Sequence, residues 1–525
     1  MQNLVLSETR SRSSEMPTSE APVQQLKPSA SGFVRHVALF SSANVLALVC
    51  NGLLTFLLPR LLSMETYGYY RLFILYGGFA GVLHLGLLDG ALIRWAARPE
   101  QRLAAELGGG LTFLLAQHAA ILVPVTAIMA LLFHSQPWFF VVISLALYAV
   151  VFNVATFGQF ALQAEKSFAL LSAVTVLNPA ILLAAIVVLH FVNRLTLATV
   201  IAAYIGSWLL AAIPVWISLG RFRWKGASLR HAWKIGAHNV RIGWTVLIAL
   251  LLTNIALSLD RIVVSISYSI RDFAVYSLAA SALAVVNTII LSVSRVVFPY
   301  LSNGISRETQ VRAYWSGEAC LVGLWALGLV AYFPLHWLIG RLLPNYVPSL
   351  PVLRLLMLGT GLTGIIHILQ SNYFRSSYRL GRLLAGCAVG LAAALGLLML
   401  ARRTGQLSMM ALAMLGALAV WWMLNEYLLR EVTGSAAKNV VRTMIVYAGC
   451  AFWFERCSSW KNLTAGAFSY LPVALTLVLA AYRSVLPTSP RLSLSASGSV
   501  SGDISTLPSA WHSSPEKSDS RVMHV

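Results

Sequence analysis

The chain has 525 residues, 58% of them hydrophobic and 11% charged, and its mean hydropathy is +0.74. A soluble domain does not tolerate that apolar fraction, so composition points to a polytopic membrane protein. The formal charge of +20 would suit a nucleic-acid partner. The basic residues, however, sit in short segments between apolar runs and form no arginine-rich face, which argues against one.

In chain order, residues 1–35 are rich in Ser, Pro, Glu and Gln and read as a disordered cytoplasmic tail without the apolar region of a signal peptide. Apolar stretches follow at 36–58, 72–97, 108–133, 138–163, 169–191 and 195–218. Each is long enough for a spanning helix of about 20 residues, and together they form an N-lobe over 36–219. A basic segment, 220–239, carries Arg221, Arg223, Lys225, Arg230 and Lys234 and reads as a cytoplasmic linker. Further spans near 240–265, 273–298, 313–339, 350–372, 383–401 and 407–430 make a C-lobe over 240–430. Two additional spans lie within 431–482, and the Ser-rich remainder, 483–525, reads as disordered. The expected fold is therefore an all-α polytopic bundle of about 14 transmembrane helices, two pseudo-symmetric six-helix lobes plus two extra. With the N-terminus inside, most of the 38 basic residues fall on inside segments, as the positive-inside rule requires. Arg402, Arg403, Arg456 and Lys461 are the exceptions. Both termini are then cytoplasmic. The five cysteines show no metal or disulfide spacing and read as packing residues.

Polar residues recur at helical spacing inside the apolar spans. Asn44 and Asn51 mark the first span, Asn153 the fourth, Asn254 the seventh and Gln370 the tenth. Each stripe is either a hydrogen-bonded packing seam or the wall of a hydrated cavity, and convergence of several favours the cavity. Asp89 lies about 12 Å deep in the second span. Five positions from Arg94, it cannot pair with that residue on one helix, so it needs a partner on another helix, water or a proton. Asp89 and Asp260 are the candidate ion-coupling carboxylates. A shift that lays Arg60 on Arg261 also lays Tyr67 on Tyr268 and Arg94 on Arg295 without gaps, which reads either as parallel repeats related by an axis along the membrane normal or as chance identities among arginines that anchor helix ends at the interface.

The run Asn44, Leu57-Leu58-Pro59-Arg60-Leu61-Leu62, Tyr67-Gly68-Tyr69-Tyr70, then Leu85-Gly86-Leu87 and Ile93-Arg94, resembles the start of polysaccharide-transport flippases of the multidrug/oligosaccharidyl-lipid/polysaccharide exporter superfamily. The resemblance implies a transporter of the bacterial inner membrane that turns undecaprenyl-diphosphate-linked oligosaccharide to the outer leaflet by alternating access, for O-antigen or exopolysaccharide biosynthesis. It also implies membrane lipids and polysaccharide polymerase and chain-length machinery as partners, and no cofactor beyond a coupling H⁺ or Na⁺. Within that reading Arg60, Arg94, Arg261 and Arg295 are the candidate diphosphate ligands, because guanidinium offers several donors in a planar fork and stays ionised. An exporter of drugs or of a peptidoglycan lipid precursor is the alternative. A membrane polymerase or ligase is a further one, disfavoured because no expected outer loop exceeds about a dozen residues and no Walker loop, nucleophile elbow or dinucleotide fingerprint is present.

Overall fold

A computed structural model describes residues 30–482 apart from 97–98, 133–137, 223–227, 302–306, 378 and 435–436. Most of the first expected tail, the whole of the last and the middle of the 220–239 segment lie outside the described residues. Among those described, the secondary structure is helical throughout, and every expected span falls on a helix or a broken pair. The first half comprises α1 (Ala30–Leu61), α2 (Met64–Gly77), α3 (Leu87–Trp95), α4 (Pro99–Leu132), α5 (Trp138–Ala164), α6 (Phe168–Phe191) and α7 (Leu197–Leu219). The second comprises α8 (Leu229–Ala256), α9 (Leu259–Ser267), α10 (Ile270–Leu301), α11 (Arg307–Gly328), α12 (Tyr332–Leu342), α13 (Ser349–Gly364), α14 (Ser371–Ser376), α15 (Leu380–Arg402) and α16 (Leu407–Thr433). Two helices, α17 (Ala437–Ser458) and α18 (Leu463–Tyr482), complete it.

Among the described residues, 11 stretches are long and apolar enough to cross a membrane, or up to 12 if the bent pair α2–α3 counts as one span. This makes the chain a multi-pass membrane protein, but it stops short of the expected count of about 14. One helix outside the tally, α17, carries Lys438, Arg442, Glu455 and Arg456. Another, α10, has side chains described only in part.

Local chemistry sets the ends and the breaks. Ser63 caps α2 by accepting the Thr66 N–H at 3.2 Å, and Thr196 with Thr199 forms a capping box on α7. The second span is bent by 56° between α2 and α3, where Leu85 and Gly86 adopt left-handed φ of 51° and 86°. A break inside a bilayer frees carbonyls that must find partners. Asn153 on α5 donates to the Ala80 carbonyl at 2.8 Å and Gln117 on α4 to that of Leu83. The seventh span breaks at Leu257–Ser258 between α8 and α9, and the tenth is π-helical over Ile365–Gln370.

These breaks let the halves meet at both ends. At the linker end α3 lies on α8 so closely that a β-carbon on Gly90 would stand 1.9 Å from the Asn239 carbonyl oxygen, and one on Gly243 2.0 Å from that of Gly86. Residues 229–239, expected as linker, are the first turns of α8, packed on the first half through Ala232, Gly236 and Asn239. At the far end α2 meets α10. Gly68 abuts the Ile270 carbonyl, Glu65 pairs with Arg271 at 2.8 Å, and the Tyr67 and Tyr346 rings meet edge-to-face at 5.7 Å.

Candidate substrate cavity

A cavity of about 260 Å³ lies where α8, α9, α10, α13 and α16 meet. Asn254, Ser258, Asp260, Arg261, Thr360 and Thr363 supply its polar wall, and leucines and methionine close the rest. It is built at the break in the seventh span, where α8 exposes its last carbonyls. Arg261 Nη2 donates to the Leu257 carbonyl at 2.6 Å and to Ser258 Oγ at 2.9 Å, a cation at a helix C-terminus. Those bonds leave the Nη1 and Nε donors uncommitted among the described residues; Nε stands 3.8 Å from Asp260 Oδ1. Asp260 accepts from the buried Tyr276 hydroxyl and from the Arg261 backbone N–H, both at 2.8 Å. Thr360 and Thr363 donate to carbonyls of their own helix, at Met357 and Gly359. Their oxygens are left as acceptors for a hydroxyl-bearing ligand.

The structure thus brings Asn254, Asp260 and Arg261 into one cavity and disperses the other predicted residues. Asn44 and Asn51 lie on an exposed face of α1, Asn51 donating to the Ala47 carbonyl at 2.9 Å. Asn153 serves the broken second span. Gln370 is buried in a different network, donating to Glu426 at 2.8 Å and accepting from Asn425 at 2.9 Å, with the Tyr314 hydroxyl also donating to Glu426. Arg60 is exposed in the last turn of α1. Arg261 occupies the first turn of α9, so the two positions aligned by the repeat are not equivalent in place. Arg295 lies on α10, and its side chain is outside the described residues.

Arg94 does not face the cavity. Its Nη1 donates to Asn239 Oδ1 at 2.7 Å and its Nη2 to Glu106 Oε1 at 2.6 Å, tying α3 to α4 and α8. Glu106 escapes a sequence reading because it precedes the apolar run of α4 and looks like part of a loop. Among the described residues, Asp89 has no hydrogen-bond partner on Oδ2, and the charge-bearing group paired with it is His84, whose Nε2 lies 4.0 Å away. That partner comes from the broken stretch of its own span and not from another helix.

The profile of a polysaccharide biosynthesis protein family matches residues 57–333. No curated protein matches the chain. Among solved structures, a Lipid II flippase MurJ in an inward closed conformation aligns with a TM-score of 0.64 and 12% identity, over 86% of this chain and 100% of that one. A MOP superfamily transporter from Pyrococcus furiosus gives 0.46 at 16% identity over 76% and 96%. A Vibrio cholerae MATE transporter gives 0.42 at 14% identity over 75% and 98%. The first alignment shows a shared fold.

Proposed function

The chain belongs to the polysaccharide biosynthesis protein family, and on that premise we propose that it is a flippase for an undecaprenyl-diphosphate-linked oligosaccharide. It carries this substrate from the inner to the outer leaflet of the bacterial cytoplasmic membrane, and polysaccharide-assembly enzymes use it there. The observation that carries the reading is the Arg261 cavity: a guanidinium with uncommitted donors beside sugar-compatible acceptors, inside an otherwise apolar bundle.

A diphosphate entering an apolar layer needs fixed positive charge, and a planar fork supplies it with directed donors. Asp260, held by Tyr276 and backbone, keeps the first turn of α9 in place while leaving Arg261 room to turn toward a stronger anion. A volume of about 260 Å³ falls below the roughly 300–1,000 Å³ of small-molecule sites. It accommodates a headgroup fragment and not an oligosaccharide, so the halves must part at one end or the other to admit substrate, as alternating access requires. Movement of H⁺ or Na⁺ past Asp89 or Asp260 would drive that cycle.

Arg261→Lys tests the reading. Lysine keeps the charge and inserts normally but loses the fork. In proteoliposomes holding the lipid-linked glycan, its initial flipping rate should fall about tenfold or more, the worth of a charge-assisted hydrogen bond. A rate equal to that of the wild type at equal protein content would remove Arg261 from the substrate path.

A further inference from the structure

The break in the second span gathers titratable side chains that the cavity does not use. His84, 8% exposed, accepts the Gly86 backbone N–H on Nδ1 at 3.1 Å. A neutral imidazole with Nδ1 as acceptor carries its proton on Nε2. That nitrogen lies 4.0 Å from Asp89 Oδ2, beyond hydrogen-bond reach, and the carboxylate oxygen is buried without a hydrogen-bond partner among the described residues. A second proton can enter the ring only at Nδ1, where it turns the acceptor into a donor and evicts the Gly86 N–H. The same proton makes the ring an imidazolium, which Asp89 attracts. The neutral ring therefore holds Gly86, and the charged ring holds Asp89.

Both residues belong to the joint between the halves. Gly86 stands in the left-handed region, and its carbonyl lies against Gly243 on α8. Asp89 is in the first turn of α3, one residue before the Gly90 contact with Asn239. We infer that His84 is a proton-operated hinge in the second span: protonation at Nδ1 releases the Gly86 amide, draws the ring to Asp89 and loosens α3 from α8 at the linker end. Among the described residues, two titratable groups act on the ring. Asp89 comes from α3. From α4 comes His118, whose Nδ1 bonds the Leu114 carbonyl at 2.8 Å, whose Nε2 is buried without a hydrogen-bond partner among the described residues, and which acts on His84 electrostatically. The surrounding backbone is held by neutral groups: Asn153 on α5 bonds the Ala80 carbonyl, Tyr148 on α5 packs on Gly77, and the Gly243 and Trp244 backbone of α8 lies against Gly86. Asp89 is the acid that rewards protonation. His118 is a base whose own protonation would oppose it.

Importance for transport rests on the flippase reading, but the hinge can be read without transport. Hydrogen exchange of the peptide covering residues 80–92, on the full chain in lipid nanodiscs, should be followed between about pH 8 and about pH 5, a range that histidine titration spans. After correction for intrinsic exchange, the opening equilibrium of the wild type should rise on acidification. The limit is about tenfold per pH unit for one proton taken up on opening. His84→Asn keeps an acceptor near the Nδ1 position and cannot take the proton, so its opening should be flat in pH. Asp89→Asn should move the rise to lower pH. Flat wild-type exchange, or an unchanged rise in His84→Asn, overturns the hinge. Should His84→Asn fail to fold, His118→Gln decides: a retained rise supports His84, and a lost one assigns the proton to His118 and overturns the proposal.

Discussion

Glu106 changes what Arg94 can do. An arginine in an apolar span signals function from sequence alone, yet this one is tied to a carboxylate that is 6% exposed. Trp95 Nε1 donates to the other Glu106 oxygen at 3.3 Å, and the half-exposed Arg102 adds a bond at 3.0 Å. Removing one partner of a buried pair costs about 3–5 kcal/mol because it strands the other charge. Glu106→Leu, which leaves Arg94 without its counter-charge and with only the Asn239 amide oxygen, should reach that range in thermal unfolding of the detergent-solubilised protein. Arg94→Leu should cost less, since Arg102 still serves Glu106, and the double variant should be milder than the sum of the two. Equal and additive losses would show that the pair does not act as a unit. The arginine was legible in the sequence as an intramembrane charge. Its partner was not, since Glu106 lies across a turn and outside the apolar run, and pairing is a fact of the folded state.

Among the helices, the apolar runs announced every span because a bilayer demands long uninterrupted apolarity. The joint between the halves was far less visible. Gly236 makes room for the Phe113 ring, and Gly243 with the Asn239 carbonyl lets the backbones of α8 and α3 approach, but five basic residues in 220–239 mask this stripe as a linker. Likewise the glycines of the second span were visible, whereas the 56° bend depends on side chains from α4 and α5 that satisfy the opened backbone. The stripe makes a steric prediction. Gly243→Ala would put a methyl 2.0 Å from the Gly86 carbonyl oxygen, so α3 and α8 must separate, at about 1–3 kcal/mol for an overpacked contact. Gly206→Ala, with nothing within 4 Å of its β-carbon, is the control. Hydrogen exchange over residues 80–92 should rise in the first variant and stay at the wild-type level in the second. If both match the wild type, the α3–α8 contact is not closed in the membrane.

For the whole molecule, the positive-inside rule makes a cytoplasmic linker end the expectation to test, and the geometry shows which other segments lie at each end. Arg354 on α13 pairs with Glu455 on α17 at 2.7 Å, and Arg402 lies near enough to Tyr268 to act on it electrostatically. Glu65 joins Arg271, and Tyr67 meets Tyr346. Arg402, Arg403, Arg456 and Lys461, the four residues that break the positive-inside pattern, thereby fall at the end opposite the linker. Charge counting alone leaves the last helices ambiguous because α17 ends in Arg456 and its following turn holds Lys461. Packing places the end of α17 beside the first turns of α13. The expected outcome is that a cysteine at Arg230, exposed near the start of α8, is protected from an impermeant thiol reagent in intact cells. A cysteine at Lys461, exposed between α17 and α18, should label readily, both in a background lacking Cys320, the exposed native thiol. Labelling at Arg230 with protection at Lys461 would invert the molecule, and with it the direction in which the Arg261 cavity is loaded. Labelling at both would put the two sites on one side of the membrane and overturn the placement of Lys461 at the end opposite the linker.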